Sequence, residues 1–463
     1  MIFSTFTFIL LFLPIVFSLY SASLYFGRIQ LSKIVLIIAS LVFYAYGSGD
    51  FFIVFVIAVI LNYFFGIGLS KAINKSKMQR LMLLWIAISL NLALLGYYKY
   101  TDFVLFNINI FIEHPIEYQN IILPIGISFF TFQLIAFLVD SYKGETKGYA
   151  PTDYLLFITF FPQLIVGPIV HHKDVVPQYQ GLKKSAPDLS RISPGIFLFA
   201  IGCAKKLLIA DPLSEWAQKA FDVAGELNSI ESWVASLSYT LSYYFDLSGY
   251  ADMAIGLGMI FGIALPINFN SPYKARNFAD YWRRWHMTLS KFLGDYIFRN
   301  VYDKTKGSLN FYFALFVTFF VSGFWHGAGW TFVLWGIING AFVIMSHMMI
   351  RANRSLAFPI AWTLTFIGVI STRVLFVAND FDDAAHVLLK MFSFSDFANT
   401  IQLATLQPLY LLVGMGLVLF FPNSNAMVKS FKPSYIYAIS TSLLLLASFL
   451  NMSYVRGFLY FQF

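Results

Sequence analysis

The 463-residue chain is 59% hydrophobic and only 12% charged, about half the charge that a soluble domain carries. This excludes a water-soluble globular protein, and because the apolar residues come in long blocks, lipid is the solvent for most of the chain. The net charge of +8 lies in short loops between those blocks, which is the positive-inside pattern and not a nucleic-acid footprint; the single cysteine, Cys203, leaves no internal disulfide and no Cys-based metal site.

The apolar blocks fall near 3–25, 34–47, 51–69, 81–98, 102–112, 120–139, 154–171, 193–210, 231–246, 250–268, 309–324, 328–350, 357–378, 405–421 and 434–451. Several are shorter than the roughly 20 residues of a full crossing. The expectation is an all-α polytopic membrane protein with about 11 transmembrane helices plus re-entrant or interfacial pieces, in a single membrane-embedded domain over 1–463. In the first block no basic residue precedes the apolar run, and Arg28 and Lys33 follow it. A signal peptide wants the reverse, so the block reads as a retained span with its N-terminus outside. Gly47 to Asp50 carries no basic residue, whereas Lys71, Lys75, Lys77 and Arg80 mark a cytoplasmic return. Asp140 falls near a block end, as do Asp211, Asp246 and Asp252. The block at 154–171 contains Pro162, Gly167 and Pro168, a composition that suits a re-entrant segment shielded by protein. The stretch 270–306 is the most basic, with eight positive and three negative residues, and is also expected on the cytoplasmic side.

Of the seven histidines, His326 stands apart. It lies in "FFVSGFWHGAGW", within a run that has no charge between Gly307 and Arg351. An ionisable group at that depth is costly and tends to face a cavity, while Gly323, Gly327 and Gly329 permit close backbone or substrate approach. The residues alone leave two readings, a reactive group or a histidine that hydrogen-bonds between helices. His286 lies in "YWRRWHMTLS". On a helix, Trp282 and Arg283 would share its face, with Arg for phosphate and Trp for a flat ring; an interfacial aromatic-basic belt is the alternative. His171 and His172 are adjacent and not spaced i,i+4, so a zinc pair is not expected. The glycines at 256, 258 and 262 do not fit dinucleotide spacing, and neither a GxSxG elbow nor a Walker loop occurs.

The stretch "DLSGYADMAIGLGMIFGIALPINFNSPYKARNFADYWRRWHMTLS", followed by "VSGFWHGAGWTFVLWG", resembles the membrane-bound O-acyltransferase family, most of all its bacterial branch that acetylates alginate and similar polysaccharides. Segments at 123–145, 160–170 and 202–211 and the ending "FLYFQF" are similar in order and position. The resemblance places the family's catalytic histidine on His326 and its second histidine on His286. Arg283, Arg284, Trp282, Trp285, Trp325 and Asn268 become candidates for binding substrate or donor. It implies a ring of helices with a central tunnel, no bound cofactor, and acetyl-CoA as acyl donor on the cytoplasmic face. It further implies a polysaccharide acceptor, or an extracytoplasmic acetyltransferase partner, across a bacterial inner membrane. Two departures stand out: "IFRNVYDKTKG" replaces a PLGG-like turn, and Asn339 stands where relatives often carry a histidine. For the chemistry, a histidine takes the hydroxyl proton near neutral pH, and amides near Gly327 or the Trp325 indole are candidate oxyanion donors. Two rivals remain at this stage, a D-alanyl transfer to teichoic acid and a proton-coupled transporter using the two histidines as stations.

Overall fold

In a bilayer every backbone N–H and C=O must find a partner within the protein, and helices satisfy this segment by segment. The computed structural model describes residues 1–71, 76–393, 406–454 and 457–459, and among these it is helical with no strand. Lys75 and the end of "FLYFQF" (460–463) lie outside the described residues. The principal helices, in chain order, are α1 Thr7–Tyr25, α2 Ile29–Ser48, α3 Phe51–Lys71, α4 Lys77–Asn109, α5 Ile127–Lys143, α6 Pro151–Thr159, α7 His172–Gln180, α8 Leu189–Phe221, α9 Ser229–Ile260, α10 Phe278–Trp282, α11 Met287–Leu293, α12 Gly307–His326, α13 Trp330–Arg351, α14 Phe358–Val377, α15 Phe381–Met391, α16 Gln407–Phe420 and α17 Tyr435–Asn451. Among the described residues, eight of these are long and apolar enough to cross a membrane: α1–α4, α8 and α12–α14. α16 and α17 are apolar but shorter. The chain divides into two compact units, residues 1–196 with 253–266, and 197–252 with 267–463.

In the first unit, polar residues join helices where lipid offers no alternative partner. Asn62 on α3 and Asn91 on α4 exchange amide hydrogen bonds of 3.0 and 2.8 Å. Lys33 is not a free topology signal, because it is buried at 2.6 Å from Asp153. Gly144 ends α5 in the left-handed region, at φ 84°, a conformation that glycine adopts without cost. The block 154–171 is broken as its Pro and Gly content suggests. α6 stops at Thr159, one turn covers Phe161–Leu164, and residues 156–170 are buried throughout, so the irregular backbone is shielded.

The second unit corrects the reading of two apolar blocks. Residues 231–246 and 250–268 do not form two helices, since α9 runs unbroken from Ser229 to Ile260. Asp246 and Asp252 therefore lie well inside a helix and not near the ends of spans. Each is matched by a lysine of α8: Lys206 reaches Asp246 at 2.7 Å and Asp211 at 2.8 Å, and Lys205 reaches Asp252 at 2.6 Å. Opposite charges on two helices satisfy each other, so these carboxylates are locked and offer no free proton station.

α12 and α13 meet through glycine. A Cβ on Gly323 would stand 2.5 Å from the Phe332 oxygen and 2.9 Å from the Gly336 Cα. The obstacle is backbone and cannot rotate away. Gly323→Ala is therefore expected to push the two helices apart, at about 1–3 kcal/mol, with a matching loss of activity because His326 lies one turn on. Thermal unfolding in detergent measures the shift, and a variant as stable as the parent would rule out this close packing.

Candidate active site

His326 is the last residue of α12, and it is placed by where that helix stops. Gly327 turns to extended backbone (φ −153°), and its missing side chain is needed, since a Cβ there would run into the Phe332 ring. The imidazole is 3% exposed. Its ring centroid is 4.9 Å from Trp325, 5.1 Å from Trp335 and 5.2 Å from Phe376. Trp335 comes from α13 and Phe376 from α14, so three helices close an aromatic wall around one ionisable group. Asn339, one turn beyond Trp335, donates to the Trp335 carbonyl at 2.8 Å, an ordinary way to satisfy a buried amide.

His286 is also 3% exposed, but it is held differently from the expectation. It does not share a helix face with Trp282 and Arg283, because α10 ends at Trp282 and the chain turns before α11 begins at Met287. His286 occupies the turn in the left-handed region, at φ 45°. A β-carbon pays for that conformation, and such strain persists only where surroundings impose it. Asn268 is the restraint. Its carbonyl accepts from the Met287 N–H at 2.9 Å, and its side-chain oxygen accepts from the Thr288 N–H at 3.2 Å and hydroxyl at 2.9 Å. Asn268 thus braces the turn that presents His286. The Nδ1 of His286 has no hydrogen-bond partner among the described residues. Burial, and then the nearby Arg373 charge, push its pKa down to about 3, so the ring is neutral at working pH.

The remaining expected residues separate by role. Trp285 is packed between Tyr243 (5.8 Å) and Tyr281 (5.7 Å), each stacked within 14°, so it is a wall of the site. Trp325 is buried against His326. Arg284, in the turn, is tied back to Asp280 of α10 at 2.9 Å. Arg283 is exposed and, with Trp282, Ser290, Ser322 and His347, lines a cavity of ≈ 200 Å³. Trp282 connects this cavity to the site: its ring is 5.6 Å from Trp335, which in turn packs on His326, and its buried Nε1 has no partner among the described residues.

Sequence reasoning missed Arg373. It lies in α14 and is 3% exposed. A charged residue inside the apolar block 357–378 is the same signal that singled out His326, and it was available. The adjacent pair His171 and His172 was also underrated, since both Nε2 atoms reach Asp140 Oδ2, at 2.8 and 3.1 Å. Their other nitrogens are also engaged: the Lys173 N–H donates to His171 Nδ1 at 3.2 Å, and the Tyr149 hydroxyl lies 2.7 Å from His172 Nδ1.

A profile of the membrane-bound O-acyltransferase family, MBOAT, matches residues 40–380. A peptidoglycan O-acetyltransferase of Helicobacter pylori is 36% identical over an alignment covering 100% of this chain and 98% of its own length. A protein of Pseudomonas putida named a probable alginate O-acetylase is 35% identical, with 91% of this chain and 87% of the relative covered. A teichoic acid D-alanyltransferase of Bacillus subtilis is 28% identical over 53% of this chain and 65% of its own. On these matches, in a multi-pass helical protein, the chain belongs to the membrane-bound O-acyltransferase family.

Proposed function

We propose that this enzyme moves an acetyl group from acetyl-CoA at the cytoplasmic face to hydroxyls of an extracytoplasmic polysaccharide, directly or through an extracytoplasmic acetyltransferase partner. The observation that carries the reading is His326, an ionisable ring enclosed by Trp325, Trp335 and Phe376 at the end of an uncharged span. In that role His326 takes the acceptor's hydroxyl proton as the oxygen attacks the thioester carbonyl. His286, neutral and with a free Nδ1, is placed to hydrogen-bond a neutral reacting group. Acetyl as the group and polysaccharide as the acceptor rest on the names of the relatives, two of which cover nearly the whole chain. The D-alanyl relative covers about half of it and supports only the shared reaction class. The basic stretch 270–306 supports a cytoplasmic donor side, and with it an N-terminus outside and residence in a bacterial inner membrane.

The exposed Arg283 at the mouth of the Trp282 cavity is the proposed contact for the donor's phosphates. Purified protein in lipid nanodiscs, given acetyl-labelled acetyl-CoA with peptidoglycan strands or alginate, should release thiol and label the glycan or a co-purified partner. An intact thioester with every acceptor overturns the proposal. In the same assay Arg283→Ala should raise the donor KM about tenfold, the worth of one charge-assisted contact, and leave the acceptor KM alone. A donor KM equal to the parent's would move phosphate binding elsewhere.

A further inference from the structure

The guanidinium of Arg373 is buried among aromatic rings. It stands 4.5 Å from Tyr243 and from Trp285, and 5.4 Å from Phe376, and it donates to the Tyr281 hydroxyl at 3.3 Å. Among the described residues no carboxylate lies within ion-pair distance of it, and no acceptor lies within hydrogen-bond distance of the Tyr281 hydroxyl's own proton. Every other deeply buried cation noted above has a carboxylate: Lys33 has Asp153, Lys205 has Asp252, and Lys206 has two. Arginine cannot discharge itself by losing a proton. Aromatic faces hold a guanidinium in place and keep water from it, yet they do not neutralise it as a carboxylate would. What is left is a fixed positive charge and a hydroxyl proton with no carboxylate partner among the described residues.

Arg373 is also close to the chemistry. Phe376, three residues along α14 and on the same helix face, touches the His326 ring at 5.2 Å. Trp285, beneath the guanidinium, is the residue before His286. We propose that Arg373 and the Tyr281 hydroxyl together receive the oxyanion of acyl transfer, an inference that rests on the acyl-transfer reading above. As the acceptor oxygen bonds to the acyl carbon, its proton passes to His326 and the carbonyl π pair moves onto the carbonyl oxygen, which Arg373 and Tyr281 hold. When the carbonyl re-forms, the carbon–sulfur bond breaks and the leaving thiolate takes the proton from His326. A carboxylate beside Arg373 would compete with that oxygen, so its exclusion from the pocket fits the role. Donor phosphates are a poorer match, because Arg373 is enclosed while Arg283 stands exposed at a cavity mouth.

The test uses the full chain in nanodiscs and compares Arg373→Gln, Arg373→Lys and Tyr281→Phe with the parent and with His326→Ala. Arg373→Gln should lower kcat by about 10²–10³, as loss of an oxyanion donor does. Its donor KM and its affinity for a non-transferable thioether analogue of acetyl-CoA should stay within about twofold of the parent. Arg373→Lys should recover part of kcat by restoring charge, and Tyr281→Phe should lower kcat with the analogue still bound. An unchanged kcat in Arg373→Gln overturns the proposal, as does a raised donor KM at constant kcat, the signature of a phosphate clamp. Loss of analogue binding in step with thermal stability in both arginine variants makes Arg373 a packing strut and also overturns it. If Arg373→Gln does not fold, parent-like kcat in both Arg373→Lys and Tyr281→Phe has the same force. If the parent transfers acetyl and His326→Ala does not, such failures touch this inference alone; if the parent transfers nothing, both readings fall.

Discussion

His326→Ala is expected to lower acyl transfer by about 10²–10⁴, the usual worth of a general base, while the protein still inserts and binds donor. The imidazole is enclosed by Trp325, Trp335 and Phe376. Truncation leaves a gap among rings that remain supported from three helices, so a modest fall in stability should accompany the loss of rate. His326→Gln separates the two effects, since it refills much of the space and can hydrogen-bond but cannot act as a base near neutral pH. If the glutamine variant transfers acetyl at the parent rate, His326 is a packing residue and the assignment fails. If both variants lose activity while an unreactive donor analogue binds as before, the loss lies in the chemical step.

Lys206→Met should have the largest effect on stability. Lys206 is 1% exposed and ties Asp211 and Asp246 together at 2.8 and 2.7 Å. Removing it leaves two buried carboxylates without their counter-charge, and breaking a buried pair in this one-sided way costs about 3–5 kcal/mol. Replacing both partners, as in Lys206→Met with Asp246→Leu, should recover part of that loss, because no charge is then stranded at Asp246. Unfolding midpoints of the single and double variants in detergent measure the coupling. A single variant that unfolds at the parent's midpoint would show that water reaches this cluster and that it is not a dry ion pair.

Composition alone revealed the helical membrane class, because lipid-facing residues must be apolar and the chain has far too few charges for water. His326 was legible as an ionisable group in an uncharged run. What hydropathy could not reveal was pairing. Asp246 and Asp252 lowered the local average and split α9 into two apparent blocks, although Lys205 and Lys206 on α8 cancel their charge. Lys33 read as a surface signal for the same reason, with Asp153 more than a hundred residues away. The turn at His286 was hidden differently. Helical spacing put Arg283 on its face, but the Asn268 hydrogen bonds, formed from outside the segment, override local preference and set φ at 45°. Arg373 sat in plain view in the block 357–378, and its aromatic surroundings come from α9, α10 and α14 together, which no single window contains.

The charged cluster around Lys206 also bears on how the protein is made. Asp246 accepts the amide of Leu459, 213 residues downstream, and Lys206 reaches the Gly457 carbonyl at 3.4 Å and lies 4.4 Å over the Phe458 ring. Helices enter the membrane in the order of synthesis, so α8 and α9 arrive with their charges already matched to each other. The amide and ring that complete the cluster follow only after the eight further helices α10–α17 have been made. Contacts across so long a stretch of chain close slowly. During biogenesis the cluster therefore passes through a stage in which its ion pairs can form but the hydrogen bond from the Leu459 amide is still missing.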